Sequence, residues 1–180
     1  MILAKRTEKI VRKLHEIEPD LDSSRKLDIG CGDCLITSRL VETTGIDLYD
    51  QRKAMHKDFL TYDGKNLPFP DDSFDISLLL FTLHHTDNPA RLLKEARRIS
   101  GKIIVMEDTY VSDFQYRFLC LYDNLTNRML SRYKRIDLYY NFLTDKRWKQ
   151  VFRKLGLKLV RQYHKKYWFL PFTYSVYVLE

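Results

Sequence analysis

Between residues 3 and 18 the apolar side chains Leu3, Ile10, Leu14 and Ile17 recur at helical spacing among lysines and arginines, which predicts an amphipathic helix ending near Pro19. Lys26 to Gly30 reads as a short buried strand, running into a glycine-bearing turn and then a helical stretch from Leu35 to Val41. A second strand, Thr43 to Asp47, ends in an acid, and a third is expected around His56 to Leu60. After the turn-rich Asn66-Leu-Pro-Phe-Pro-Asp-Asp72, the run Phe74 to Phe81 is almost continuously apolar, as a central parallel strand buried on both faces requires. The stretch Pro89 to Ile99 places Leu92, Leu93, Ala96 and Ile99 on one side of a helix; Gly101 breaks it, and Lys102 to Met106 forms another strand.

Residues 110 to 143 break this alternation, being rich in Tyr, Phe, Arg and Asn, and predict a helical insertion. Trp148 to Leu155 resumes as a helix, and Leu157 to His164 and Thr173 to Leu179 are expected to be two closing strands. Alternating strands and helices of this length imply parallel pairing through right-handed crossovers. The expected fold is α/β: a doubly wound, seven-stranded, mostly parallel sheet in one domain, with a helical insertion after the fifth strand.

Composition narrows the picture. The 180 residues are 44% hydrophobic and 31% charged, close to ordinary globular chains and far from disordered ones. Lys and Arg outnumber Asp and Glu by 31 to 24, a formal charge of +7 that favours anionic partners without choosing among them. Three cysteines without a spaced framework argue against a disulfide-held domain and for a reducing, cytoplasmic compartment. The N-terminus mixes charges with its apolar residues, and no long apolar run follows.

The segment Leu27-Asp-Ile-Gly-Cys-Gly-Asp-Cys34 lies where a strand turns toward a helix, so Gly30 and Gly32 allow a ligand close to the backbone, with helix N-terminal amides nearby to hold a carboxylate or phosphate. Asp47, 19 residues beyond Asp28, ends the next strand, where a carboxylate can accept from both hydroxyls of a ribose.

These motifs resemble the class I S-adenosylmethionine-dependent methyltransferases, in particular the branch acting on diverse small molecules, over roughly residues 25 to 108. The matching segments are Leu27-Asp-Ile-Gly-Cys-Gly32, Gly45-Ile-Asp47, Lys57-Asp-Phe59, and Leu67-Pro-Phe-Pro-Asp-Asp-Ser-Phe-Asp75 leading to Leu83-His-His85. The resemblance implies a Rossmann-like fold with an N-terminal helix (1–24), a cofactor-binding core (25–109), a helical lid (110–146), and a C-terminal helix with closing strands (147–180). It implies S-adenosylmethionine as cofactor: Gly30, Cys31 and Gly32 against the methionine part, Asp28 near its amino group, Asp47 and Leu48 at the ribose, Asp58 and Phe59 at adenine, Leu80 or Phe81 touching it from the fourth strand. Cys34 stands where the family usually has a third glycine, which narrows the turn, and Ser100-Gly101 replaces the common Pro-Gly-Gly.

The implied reaction is an in-line displacement that needs neither a metal nor a covalent intermediate, most of it achievable by alignment. If the acceptor is a hydroxyl, a base is useful, and His84, His85, Glu107, Asp108 and Tyr110 fall near the strand ends. Leu80-Phe-Thr-Leu83 stands in place of the Asn-Pro-Pro-aromatic tetrapeptide of enzymes that methylate exocyclic amino groups, so the favoured acceptor is a small, apolar or aromatic molecule selected by the aromatic-rich lid.

Several alternatives stay open. An RNA or protein acceptor is the runner-up, RNA through Arg128, Arg132, Lys134, Arg135, Lys146, Arg147, Lys149, Arg153 and Lys154, although such charge is usually a solvated face. Lys165-Lys-Tyr-Trp-Phe-Leu170 pairs cations with aromatics as a peripheral membrane contact would. A non-catalytic cofactor-binding module is a third reading. Cys31-Gly-Asp-Cys34 also has the spacing of a thioredoxin-type pair or half a zinc site, without the rest of either.

Overall fold

Seven strands form one sheet in the computed structural model, which describes residues 2–130, 139–167 and 170–180. They are β1 (Lys26–Ile29), β2 (Thr43–Asp47), β3 (Phe59–Thr61), β4 (Phe74–Leu80), β5 (Ser100–Thr109), β6 (Leu159–Lys166) and β7 (Thr173–Leu179), in the order β3-β2-β1-β4-β5-β7-β6. The pairs β3-β2, β2-β1, β1-β4 and β4-β5 are parallel, and β7 runs antiparallel to both β5 and β6. Strand order reverses between β1 and β4, and a crevice at the carboxyl ends of such strands is where open α/β sheets take ligands.

Alternation along the strands sorts the core onto two faces. Leu27, Ile29, Leu79, Ile103 and Val105 face α2 (Pro89–Ile99) and α4 (Asp145–Lys154), whose Leu93, Ala96, Trp148 and Phe152 are buried against them. Leu78, Leu80, Ile104 and Met106 face the other way, onto Ile10, Leu14 and Ile17 of α1 (Ile2–Ile17). The spacing of those three residues is what made α1 legible; the side chain of Leu3 lies outside the described residues. Helix α2 starts where Asn88 caps the amide of Arg91 and Pro89 takes the first turn, and α4 starts where Thr144 caps Arg147.

Between α1 and β1, Lys26 is fully buried, its Nζ donating to the carbonyls of Leu21 and Ser24 at 2.5 Å each. Burial pushes its pKa down.

The insertion holds one long helix, α3 (Asp113–Leu130). Leu119 packs with Phe142 and Phe172 in a third cluster that gathers Tyr110, Tyr116, Phe118 and Tyr122. Arg132, Tyr133, Lys134 and Arg135 of the insertion, and Trp168 and Phe169 of the aromatic segment, lie outside the described residues.

Two expected elements differ. The stretch Leu35 to Val41 is not an α-helix but one 3-10 turn, Thr37–Arg39. Only residues 30–42 join β1 to β2, and a parallel crossover takes a dozen or more residues even when nothing is spent elsewhere; the turn at Cys31–Cys34 uses part of that length. The fifth strand runs from Ser100 to Thr109, longer than Lys102 to Met106, because β7 pairs with it from Ile103 through Thr109.

Candidate active site

The Gly30 turn closes directly on the end of β4. Gly30 has φ +74°, and a Cβ added there would stand 2.3 Å from Cγ2 of Thr82, so only glycine lets the two strand ends approach this closely. Thr82 was not singled out by the sequence, where nothing distinguishes it from a strand-end residue. Just before it, Phe81 adopts φ +59°, an uncommon conformation for an aromatic, and swings its ring toward Tyr174 and the Arg6 guanidinium, 4.8 Å from the ring centre. Leu80 points into the core below.

Asp47 ties this turn to the next strand. Its carboxylate accepts from the amide of Gly32 at 2.7 Å and from that of Leu48 at 2.7 Å, while burial pushes its pKa up. Asp28 lies deeper, accepting from the Thr37 hydroxyl at 2.6 Å, and burial raises its pKa to about 7. Cys34 has φ +56° and packs its thiol inward, 3.5 Å from that of Cys31. A side chain in this conformation shows why glycine suits the position, and it spares the open side of the turn. That contact and burial push the Cys31 thiol up, the reverse of what an attacking thiolate needs.

The edge beside Asp47 corrects one expected residue. In register, Phe59 pairs with Gly45 and Thr61 with Asp47, so Asp58 sits before β3, toward the far end of β2. The acid that the carboxyl end of β3 brings near Asp47 is Asp63, whose carboxylate accepts from the amides of Lys65 and Asn66 and is held low by them. Phe59 carries the Arg52 guanidinium over its ring at 4.5 Å, and Leu48 is exposed.

Glu107 and Asp108 lie within β5 and not past its end, and both are buried. Glu107 accepts from the amides of Thr82 at 2.9 Å and Leu83 at 2.7 Å through one oxygen, and its other oxygen lies 2.5 Å from Nδ1 of His84. Asp108 accepts from the Tyr167 hydroxyl at 2.8 Å, and burial raises its pKa to about 6. The turn Leu83–His85 therefore hangs on one carboxylate. His84 stacks on Phe142, ring centres 4.2 Å apart, and its carbonyl accepts from the Asn141 amide. Burial opposes a proton on His84, but Glu107 and Asp123 outweigh it and hold its pKa up; burial and the neighbouring His84 push His85 down. Tyr110 packs on Tyr116, ring centres 5.1 Å apart, in the aromatic cluster that also holds Phe142.

The turn suits S-adenosylmethionine. A Cβ added at Gly32 would meet no atom within 4 Å, so a ligand has room beside that amide. A carboxylate offers about four acceptor positions, and the amides of Gly32, Leu48 and Tyr49 leave Asp47 room for a hydroxyl. The amides facing that space belong to the turn itself, since no α-helix follows it.

Comparison with known proteins agrees. Residues 27–104 match the methyltransferase domain family. Similar curated proteins are an uncharacterised protein of Methanocaldococcus jannaschii (23% identical, 83% of this chain and 72% of that protein), a demethylmenaquinone methyltransferase of Paenarthrobacter aurescens (32%, 46% and 31%) and a 27-O-demethylrifamycin SV methyltransferase of Amycolatopsis mediterranei (28%, 54% and 42%). The chain thus spans less than half the length of either named methyltransferase. Among solved structures, a chain from the Haloferax volcanii complex of a methyltransferase activator with its candidate methyltransferase aligns with TM-score 0.71 at 15% identity, covering 99% of this chain and 93% of that one. A Methanosarcina mazei S-adenosylmethionine-dependent methyltransferase aligns with TM-score 0.62 at 18% identity, covering 87% and 91%. With the glycine turn, the acid ending β2 and the seven-stranded order all in place, residues 27–104 carry the match to the methyltransferase domain family, and the chain has the fold of the S-adenosylmethionine-dependent methyltransferases it resembles.

Proposed function

We propose that the protein transfers the methyl group of S-adenosylmethionine to a small, apolar or aromatic acceptor held beneath α3. The observation that carries this reading is the junction of Gly30 with Thr82 beside Asp47, at the point where strand order reverses. The cofactor supplies an electrophilic methyl group on a positively charged sulfur. The chain's own residues do the rest. Gly32 and Asp47 fix one end of the ligand, Asp63 and Leu48 flank the outer end, and the turn Leu83–His85, pinned by Glu107, forms the wall toward the acceptor. Alignment of two bound reactants is the main contribution such a site makes, and the aromatic cluster under α3 keeps water away.

The acceptor class rests on the aromatic lining of the insertion and on the quinone and rifamycin names of the two relatives. Neither histidine is set up as a strong free base: His84 is sealed between Phe142 and Glu107, and burial with His84 beside it pushes His85 down, so alignment rather than proton removal carries the reading. Incubation with methyl-labelled S-adenosylmethionine and a fractionated extract, with Asp47→Ala as control, should place label in the small-molecule or lipid fraction only with the unaltered protein. Label in RNA or protein would overturn the acceptor class, and loss of cofactor binding by the unaltered protein would overturn the whole reading.

A further inference from the structure

Three side chains meet beneath α3 in an arrangement that methyl transfer does not explain: His84 and His85 from the turn, and Asp123 from the helix. Nε2 of His84 lies 3.8 Å and Nε2 of His85 3.6 Å from Oδ1 of Asp123, and one ligand atom from each residue lies within 4.8 Å of the others. These gaps are too long for hydrogen bonds. They are close to the spacing of ligands around a tetrahedral ion, whose bonds of about 2.0–2.1 Å set donor atoms about 3.4 Å apart.

Unmet polar atoms mark the same place. Among the described residues three buried side-chain polar atoms find no partner, and two of them are Nδ1 of His85 and Oδ2 of Asp123. Buried polar groups are almost always paired; Oδ2 of Asp123 is an acceptor that an ion here would meet, while Nδ1 of His85, across the ring from Nε2, calls for a partner of its own.

The surroundings hold the donors in position. Glu107 takes Nδ1 of His84 at 2.5 Å, which leaves Nε2 as that ring's ligand atom, and Glu107 is itself fixed by two backbone amides. Asn127 donates to Oδ1 of Asp123 at 2.9 Å. A carboxylate behind a ligating imidazole is the usual support of a metal-bound histidine.

We propose that His84, His85 and Asp123 form a binding site for a divalent transition metal of the zinc class, with Glu107 and Asn127 orienting the ligands. Two imidazoles and one carboxylate suit such an ion, and three protein ligands leave a position for water or an acceptor oxygen. The site departs from the metal-free reading of the sequence and does not depend on methyl transfer.

The test uses the full chain, stripped with a chelator and titrated with Zn²⁺ alone against a chromophoric competitor. One equivalent should bind, and His85→Gln or Asp123→Asn should each weaken it at least tenfold; Glu107→Gln should weaken it about 10- to 100-fold. Circular dichroism and metal-free melting check that each variant is folded. Co²⁺ in place of Zn²⁺ should give the visible bands of a tetrahedral nitrogen and oxygen site. Absence of saturable binding, affinity unchanged in both ligand variants, or a thiolate charge-transfer band assigning the metal to Cys31 and Cys34 would each overturn the proposal. The first result would mean that His84 is simply an imidazolium clamped between two carboxylates.

Discussion

At the scale of single residues, the site depends on one contact and one buried acid. Gly30→Ala forces a Cβ against Thr82 in a left-handed conformation, and should destabilise the fold by about 1–3 kcal/mol in urea unfolding. Adding Thr82→Ala should recover the part due to the clash and not the part due to φ. Asp28 has its pKa raised to about 7 by burial, so between the unfolded value near 3.8 and about 7 the folded state binds the extra proton. Stability from this group is therefore highest at low pH and is lost as pH rises through about 7, with a slope of up to about 1.4 kcal/mol per pH unit. Asp28→Asn should remove that slope from the difference between the two stability curves, and identical curves would refute the assignment. Gly30 and Asp47 stand out in the sequence because the turn demands a residue without a Cβ against Thr82 and a carboxylate to accept from Gly32. Thr82 and Asp123 do not, since their roles come from chain segments far apart in sequence.

At the scale of elements, the crossover from β1 to β2 is the least regular part of the cofactor half. Its apolar residues Leu35, Ile36 and Leu40 suggest a helix, and local periodicity does not register that the connecting chain is too short to form one and still reach β2. Amide hydrogen exchange at Gly32 and its neighbours in the turn should slow when S-adenosylmethionine is added, because the Gly32 amide, held on Asp47, borders the open space the ligand would fill. No slowing at saturation would show the turn to be rigid already. Helix α3 reads differently. Its aromatic content predicts a lid, and in the structure its Asp123 reaches the histidine turn. Deleting residues 112 to 140 should abolish methyl transfer while leaving cofactor binding largely intact; loss of both would show the insertion to be part of the core. Strand β5 was read too short because the partner that extends it, β7, arrives from the end of the chain, and for the same reason the burial of Glu107 was invisible.

At the scale of the whole molecule, the apolar runs were enough to give the sheet, since β4, β5 and β7 are buried over most of their length and strands of that kind carry a continuous signal. The charge of +7 is spread over a chain whose described helices include none long and apolar enough to cross a membrane. If the acceptor is a small molecule, activity should change little between about 50 and 200 mM salt, whereas an RNA acceptor contacting six to ten phosphates would lose about a thousandfold or more in affinity. A salt titration of label transfer separates the two. The buried Lys26 has one more use. An amine tucked under Leu21 and Ser24 is hidden from acylating reagents until β1 leaves the sheet, so its modification, followed by mass spectrometry while surface lysines react at once, times global opening of the molecule. The protein thus carries an internal clock for its own unfolding, readable without a dye, a tag or a substitution.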